Sequence, residues 1–296
     1  MAWLVLVAVV IWFISFLSKK LSFSFGLTPK SVEIKPLKGL KKLSDTLEHS
    51  LSESYMRNVE ERVNKEIKLK ENEYKWRLLD LKRYFIMTSL LKDSPMFSEK
   101  VDELWHQMLM FTREYDDFSR KYLGSFLHHS PNVKKLSDPD LRGFFDWLYS
   151  ELFIIKKENI HLYKGFFRYP VNPKIIDEFR SLPENQLIDL YFKSDSKYMS
   201  TVLTLISSMK KTANSIKDYE KSVIQEKMKK SKNRKDFNAM LVPFLSVSYF
   251  HYEEFLSYMT VSSASSSSCT SCGLGSSCNS TSSCSSSCSS CGGGGD

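Results

Sequence analysis

No cysteine occurs before Cys269 in this 296-residue chain, and all six crowd into the final stretch. A body without thiols has no disulfide framework, no cysteine nucleophile and no cysteine-ligated metal site. Glycine and proline are thin as well: none of either lies between Ser44 and Asp93. No GxGxxG, P-loop, GxSxG or HExxH occurs, so the familiar signatures of nucleotide binding, serine hydrolysis and zinc proteolysis are missing. Alternating, strand-like runs are few; HLYKGFFRYP (161–170) is the best of them and reads as an extended loop. Charge is absent from Ala2 to Leu17.

What is present begins with that uncharged run. At 1.5 Å per residue, Ala2–Leu17 spans about 24 Å against a hydrocarbon core of about 30 Å, and Ser18 with the stems of Lys19 and Lys20 can complete it. A cleaved signal peptide is the alternative. No basic residue precedes the run, however, and no A-x-A-like site follows it. The reading is a single transmembrane helix through residues 2–18. Lys19, Lys20, Lys30, Lys35, Lys38, Lys41 and Lys42 all follow it, which places the body in the cytoplasm under the positive-inside rule.

The net charge of +8 fits nucleic acid or an anionic membrane face. The basic run KMKKSKNRK (227–235) contains no interleaved aromatic, which disfavours RNA. Anionic lipid is therefore the partner the basic segments point to; a protein partner is expected but not named by the sequence.

The body reads as all-α. Val59, Val63, Ile67, Tyr74, Leu78, Leu81, Phe85 and Thr88 recur at helical spacing, in one very long helix or two joined near Glu71-Asn72. Glu60, Glu61, Lys65, Glu66, Lys68, Lys70 and Glu71 would be its solvated face. Ser98 is a good N-cap ahead of the stripe Val101, Leu104, Trp105, Met108 and Phe111. Thr112 is placed as the cap of the next helix, with Tyr115, Phe118, Tyr122 and Phe126 as its stripe, Gly124 at a close helix contact and Pro131 as its stop. Further helices are expected over 139–152, 173–181, 184–193, 196–230 and 236–259, the last kinked at Pro243. The expected organisation is anchor 1–20, basic linker 21–43, helical domain 44–260 and low-complexity tail 261–296.

Three of six histidines lie in VDELWHQMLMFTREYDDFSRKYLGSFLHHSP (101–131). Asp102 and His106, four apart, share one helix face. His128 and His129 are read as ending the next helix, where antiparallel packing makes an Asp102–His128 contact easier to build than a three-histidine cluster. A zinc or iron site of Asp102, His106 and one of His128 or His129 is one reading. The other is a hydrogen-bonded seam inside a structural core. Glu103-x-x-His106 has the form of half a di-iron site but lacks a second copy.

The pattern D-x-x-W-H, T-R-x-Y-x-x-F, G-x-F-x-H-H-x-P resembles the glycine-rich domain-containing protein-like family. Asp102, Trp105, His106, Thr112, Tyr115, Phe118, Gly124, Phe126, His128, His129 and Pro131 carry the resemblance. It covers about thirty residues closely and about 75–190 loosely, and bacterial members with a membrane anchor and a Gly/Cys-rich tail share the layout. The resemblance implies a helical domain and no established reaction. Many members carry Cys where this chain has Ser119, which would weaken a metal reading that needed that thiol.

The tail, 262–296, is Ser, Cys and Gly with little that can be buried, so composition predicts disorder. Cys269/Cys272 and Cys288/Cys291 have C-x-x-C zinc spacing, but only Leu274 is available to pack around a metal. S-acylation, transient disulfides or a flexible tether are the alternatives. The sequence as a whole favours a membrane-anchored interaction or scaffold protein. Its rival is a metal-dependent hydrolase or oxidoreductase built on the Asp/His cluster.

Overall fold

A computed structural model describes Trp3 and residues 23–129, 139–234 and 236–260. The expected anchor, apart from Trp3, and the tail with Cys269, Cys272, Cys288 and Cys291 lie outside these residues. Among the described residues no helix is long and apolar enough to cross a membrane.

The described body is helical throughout. In chain order it contains α1 (Leu40–Ser50), α2 (Glu53–Glu66), α3 (Glu73–Leu90), α4 (Glu99–Leu109), α5 (Thr112–Leu123), α6 (Pro139–Leu152) and α7 (Lys157–Leu162). There follow α8 (Pro173–Ser181), α9 (Glu184–Tyr191), α10 (Met199–Asn214), α11 (Lys221–Arg234), α12 (Leu241–Phe250) and α13 (Phe255–Met259). Extended pairing among the described residues is confined to isolated bridges, Ile34 with Phe153 and Leu91 with Phe192.

The Pro- and Gly-free stretch makes three helices rather than one or two. Ser52 accepts a hydrogen bond from the Tyr55 N–H and starts α2, so the chain breaks at Leu51-Ser52 without a glycine. The second break was expected, and Asn72 makes it with a left-handed φ of 60°. The apolar stripe is buried at Val59, Val63, Tyr74, Leu81 and Phe85, while most of its charged neighbours in α2 and the following turn are exposed.

Helix α3 departs from that amphipathic pattern. Fifteen of its eighteen residues are buried, including Glu73, Arg77, Asp80 and Arg83, because other elements cover it on nearly every side. Its charges are paired internally. Asp80 accepts from the Tyr149 hydroxyl and, at 2.9 Å, from Asn159 Nδ2. Arg83 donates to Tyr149 Oη at 2.6 Å and to the Val32 carbonyl at 2.9 Å. Burial raises the Asp80 carboxyl above the ordinary range, outweighing the pull of Arg83, Tyr149 and Asn159.

The segment read as a basic linker is instead a strap on the body. The Lys70 ammonium donates to the Phe23 carbonyl at 3.0 Å, and the Phe23 ring stacks on His161 at 4.0 Å. Gly26 N–H donates to Glu158, and the Gly26 carbonyl accepts from Trp76 Nε1 at 2.9 Å. Phe25 and Val32 are buried, and Lys35 N–H donates to the Leu152 carbonyl. Charge and Pro36 suggested a free linker; the burial of Phe25 and Val32 decides otherwise.

Later boundaries also shift. The 196–230 helix divides into α10 and α11. The 236–259 helix divides into a 3₁₀ turn, α12 and α13, and Pro243 occupies the first turn of α12, where its missing N–H has no partner to lose. Gly143 in α6 marks a close approach: a Cβ there would stand 2.1 Å from the Pro170 carbonyl oxygen.

Candidate metal centre

The site is built from α4, α5 and the segment that follows them. The Ser98 hydroxyl accepts from the Val101 N–H and opens α4, as its position suggested. Val101, Leu104, Trp105 and Met108 turn inward, which leaves Asp102 and His106 one turn apart at the edge of the buried face. Met110-Phe111 then turn the chain into α5. Thr112 is the first residue of that helix rather than its cap.

Helix α5 stops earlier than Pro131 would impose. Gly124, at φ 84°, terminates it, and its N–H bonds the Arg120 carbonyl. A Cβ at Gly124 would meet nothing within 4 Å, so left-handed backbone rather than a close helix contact explains glycine here. Residues 126–129 consequently run outside the helix. His128 and His129 therefore do not end it.

This returning segment is pinned by residues read only as core. The Tyr115 hydroxyl donates to the Leu127 carbonyl at 2.8 Å and accepts from Trp105 Nε1 at 3.0 Å. Burial pushes the Tyr115 phenol up to about 12, so it remains a donor at any physiological pH. The Trp105 ring meets the His129 imidazole edge-on, with centroids 4.4 Å apart. Helical periodicity placed Trp105 and Tyr115 correctly inside. It carried no sign that their polar tips form a relay holding residue 127.

Alternation in the extended segment then decides which histidine enters. His129 Nε2 lies 2.8 Å from Asp102 Oδ1. His106 Nε2 lies 3.9 Å from Asp102 Oδ2, and the two imidazole centroids are 4.6 Å apart. One ligand atom from each of Asp102, His106 and His129 falls within 4.8 Å of the others. His128 is exposed and packs on the Phe126 ring instead, so the expected Asp102–His128 contact is replaced by Asp102–His129. Phe126, expected in the α5 core, is itself 36% exposed. Glu103 is drawn away to Arg77, at 2.6 Å, which disposes of the half di-iron arrangement.

The cluster is graded in exposure. The side chains of His129, Asp102 and His106 are 9%, 31% and 52% accessible. A dication about 2.1 Å from each ligand atom needs those atoms roughly 3–4 Å apart. The observed separations approach that range, with the Asp102–His129 hydrogen bond the one contact that must open. Two imidazoles and a carboxylate are also the donor set of catalytic zinc and of non-haem iron(II) sites. Ser119 is buried and donates to the Tyr115 carbonyl; it adds no ligand.

Residues 46–160, under half of the chain, match the model of a family described as UCP032817-like. The span reaches from α1 into α7 and contains all three cluster residues, Trp105 and Tyr115. No curated protein and no solved structure matches the chain.

Proposed function

We propose that this chain is a membrane-tethered helical protein whose body binds one d-block dication, zinc or iron(II) in class, through Asp102, His106 and His129. The convergence of these three side chains from two separate segments carries the reading. Trp105 and Tyr115 support it as the residues that hold the His129 segment in place. The motif resembling the glycine-rich domain-containing protein-like family is the motif that builds this cluster, and we take the cluster to be what that resemblance marks.

Three protein ligands would leave coordination positions open to a metal held there, and the half-exposed His106 would let solvent reach them. A metal held there supplies Lewis acidity and a lowered water pKa, the chemistry of hydrolysis. Asp102, on giving up its hydrogen bond to His129, would keep one oxygen to orient a water or substrate. Residues 2–18 supply the tether, with the body on the cytoplasmic side. A scaffold role without chemistry is the second reading. It is favoured by Met110, 60% exposed one turn beyond His106, and by the half-open Phe126 beside His128.

The test is elemental analysis of the detergent-purified full chain carrying serine at all six tail cysteines, dialysed against zinc. One zinc per chain is expected, lost in a His106→Ala, His129→Ala double variant whose circular dichroism is unchanged. No bound metal, or metal retained by the double variant, overturns the reading and leaves the scaffold role standing.

A further inference from the structure

We infer that the surface around Phe23 is the face this body lays on an anionic lipid bilayer. The inference rests on reading residues 2–18 as a membrane anchor, and it adds an orientation that the anchor alone does not give.

The first argument is chain length. The body takes hold of its own chain at Phe23, through Lys70 and the stacked His161 ring. Only Ser18, Lys19, Lys20, Leu21 and Ser22 separate that point from Leu17, the last residue of the apolar run. Fully extended, this connection reaches about 20 Å. A domain of this size is on the order of 40 Å across. A free linker over 21–43 would have let the body tumble; the docked strap does not.

The second argument is charge. Around the strap's entry stand Lys70 and three further cations. Lys100 sits 5.8 Å above the Phe25 ring, Lys157 lies 3.7 Å from Glu158, and exposed Lys68 follows α2. The acids in the same place are sunk beneath them. Glu73 is buried and accepts from Lys100 and Arg77. Glu158 is buried and accepts from Gly26 N–H. Glu71 and Glu103 are exposed, the latter paired with Arg77, and Glu99 is paired with Lys164. Burial and the adjoining Lys100 and Lys70 lower the His161 imidazole despite Glu73, so it stacks on Phe23 as a neutral ring. Buried carboxylates below and ammonium groups above present a positive face.

The third argument is apolar. Leu27, four residues beyond Phe23 on the same strap, is 90% exposed. Beside a basic face an exposed leucine is suited to the headgroup–acyl boundary.

The experiment places a fluorophore on Leu27→Cys, or on Leu256→Cys as control, in the full chain with all six tail cysteines changed to serine. The protein is reconstituted into vesicles of phosphatidylserine and phosphatidylcholine, or phosphatidylcholine alone, containing headgroup spin-labelled lipid. Quenching at position 27, but not 256, is expected, stronger with phosphatidylserine. Lys70→Gln with Lys157→Gln should weaken it, on the order of fivefold per lysine in apparent lipid affinity. Equal quenching at both positions, or quenching indifferent to phosphatidylserine, overturns the face. Carbonate extraction reports the anchor separately. A chain stripped by carbonate loses the anchor reading, while quenching at position 27 measured before extraction still decides the face.

Discussion

Two polar clusters in this body use similar residue types at different depths. Asp80 and Arg83 sit wholly inside, on a helix buried almost all round, with Tyr149 and Asn159 closing on the carboxylate. Asp102, His106 and His129 sit at the rim, one imidazole nearly covered and the other half exposed. In the first cluster both Asp80 oxygens already accept a hydrogen bond. In the second, His106 stands 3.9 Å from its nearest carboxylate oxygen, beyond hydrogen-bond length, and solvent reaches both. Depth and satisfaction, more than residue identity, separate a polar group that holds a core together from one that can accept a ligand.

The contrast breaks first at Asp80. Asp80→Ala leaves Arg83 buried without its carboxylate and removes the acceptor of Tyr149 and Asn159. A loss of about 3–5 kcal/mol is expected, read from the urea midpoint at constant m-value. Asp102→Ala should cost less, about 1–2 kcal/mol, since His106 stays open to water and only the covered His129 loses a partner, yet it should abolish stoichiometric zinc. Similar destabilisation by the two substitutions would erase the distinction.

Tyr115→Phe tests the support under the rim cluster. It removes the donor to the Leu127 carbonyl and leaves the Trp105 N–H without its acceptor. Roughly 1–3 kcal/mol of stability should go, and zinc affinity should drop roughly 10–100-fold with the three ligands intact. Calorimetric titration with zinc, set beside chemical unfolding, reads both numbers. Unchanged affinity would mean that the 126–129 segment does not need the relay.

Helical class, the Ser98 cap and the inward stripes of α4 and α5 were legible because period and capping are local properties. So was the shared face of Asp102 and His106, which follows from four-residue spacing. The choice of His129 over His128 was not, because it depends on α5 ending at Gly124 and on the chain beyond it running extended. Gly124 was visible, but a glycine in an apolar period suggests a close contact as readily as a stop. The burial of Asp80 and Arg83 was also hidden. A charge on a helix reads as a solvated face unless something says how many elements cover that helix, and tertiary packing alone decides this. The strap failed to show for the opposite reason: lysines and Pro36 dominate its composition, while only a few apolar residues, Phe23, Phe25 and Val32, mark where it docks.

The smallest effect sharpens the comparison within α3 itself, where Glu73 and Asp80 lie two turns apart and respond to acid in opposite directions. Burial pushes the Glu73 carboxyl up, but hydrogen bonds from Lys100, Arg77 and the Lys70 N–H outweigh it and hold it down at about 2. Its folded value therefore lies below the ordinary 4.5. The stability it contributes is complete above that ordinary value and is lost as pH falls toward 2. Asp80 is raised instead, so the folded protein takes up that proton more readily than the unfolded chain, and acid favours its fold. Unfolding free energies of the parent and of Glu73→Gln, measured from pH 5 down to pH 2.5, isolate the first contribution. The advantage of the parent over Glu73→Gln should narrow steadily across that interval. An advantage that stays constant with pH would show that Lys100 and Arg77 do not hold Glu73 ionised.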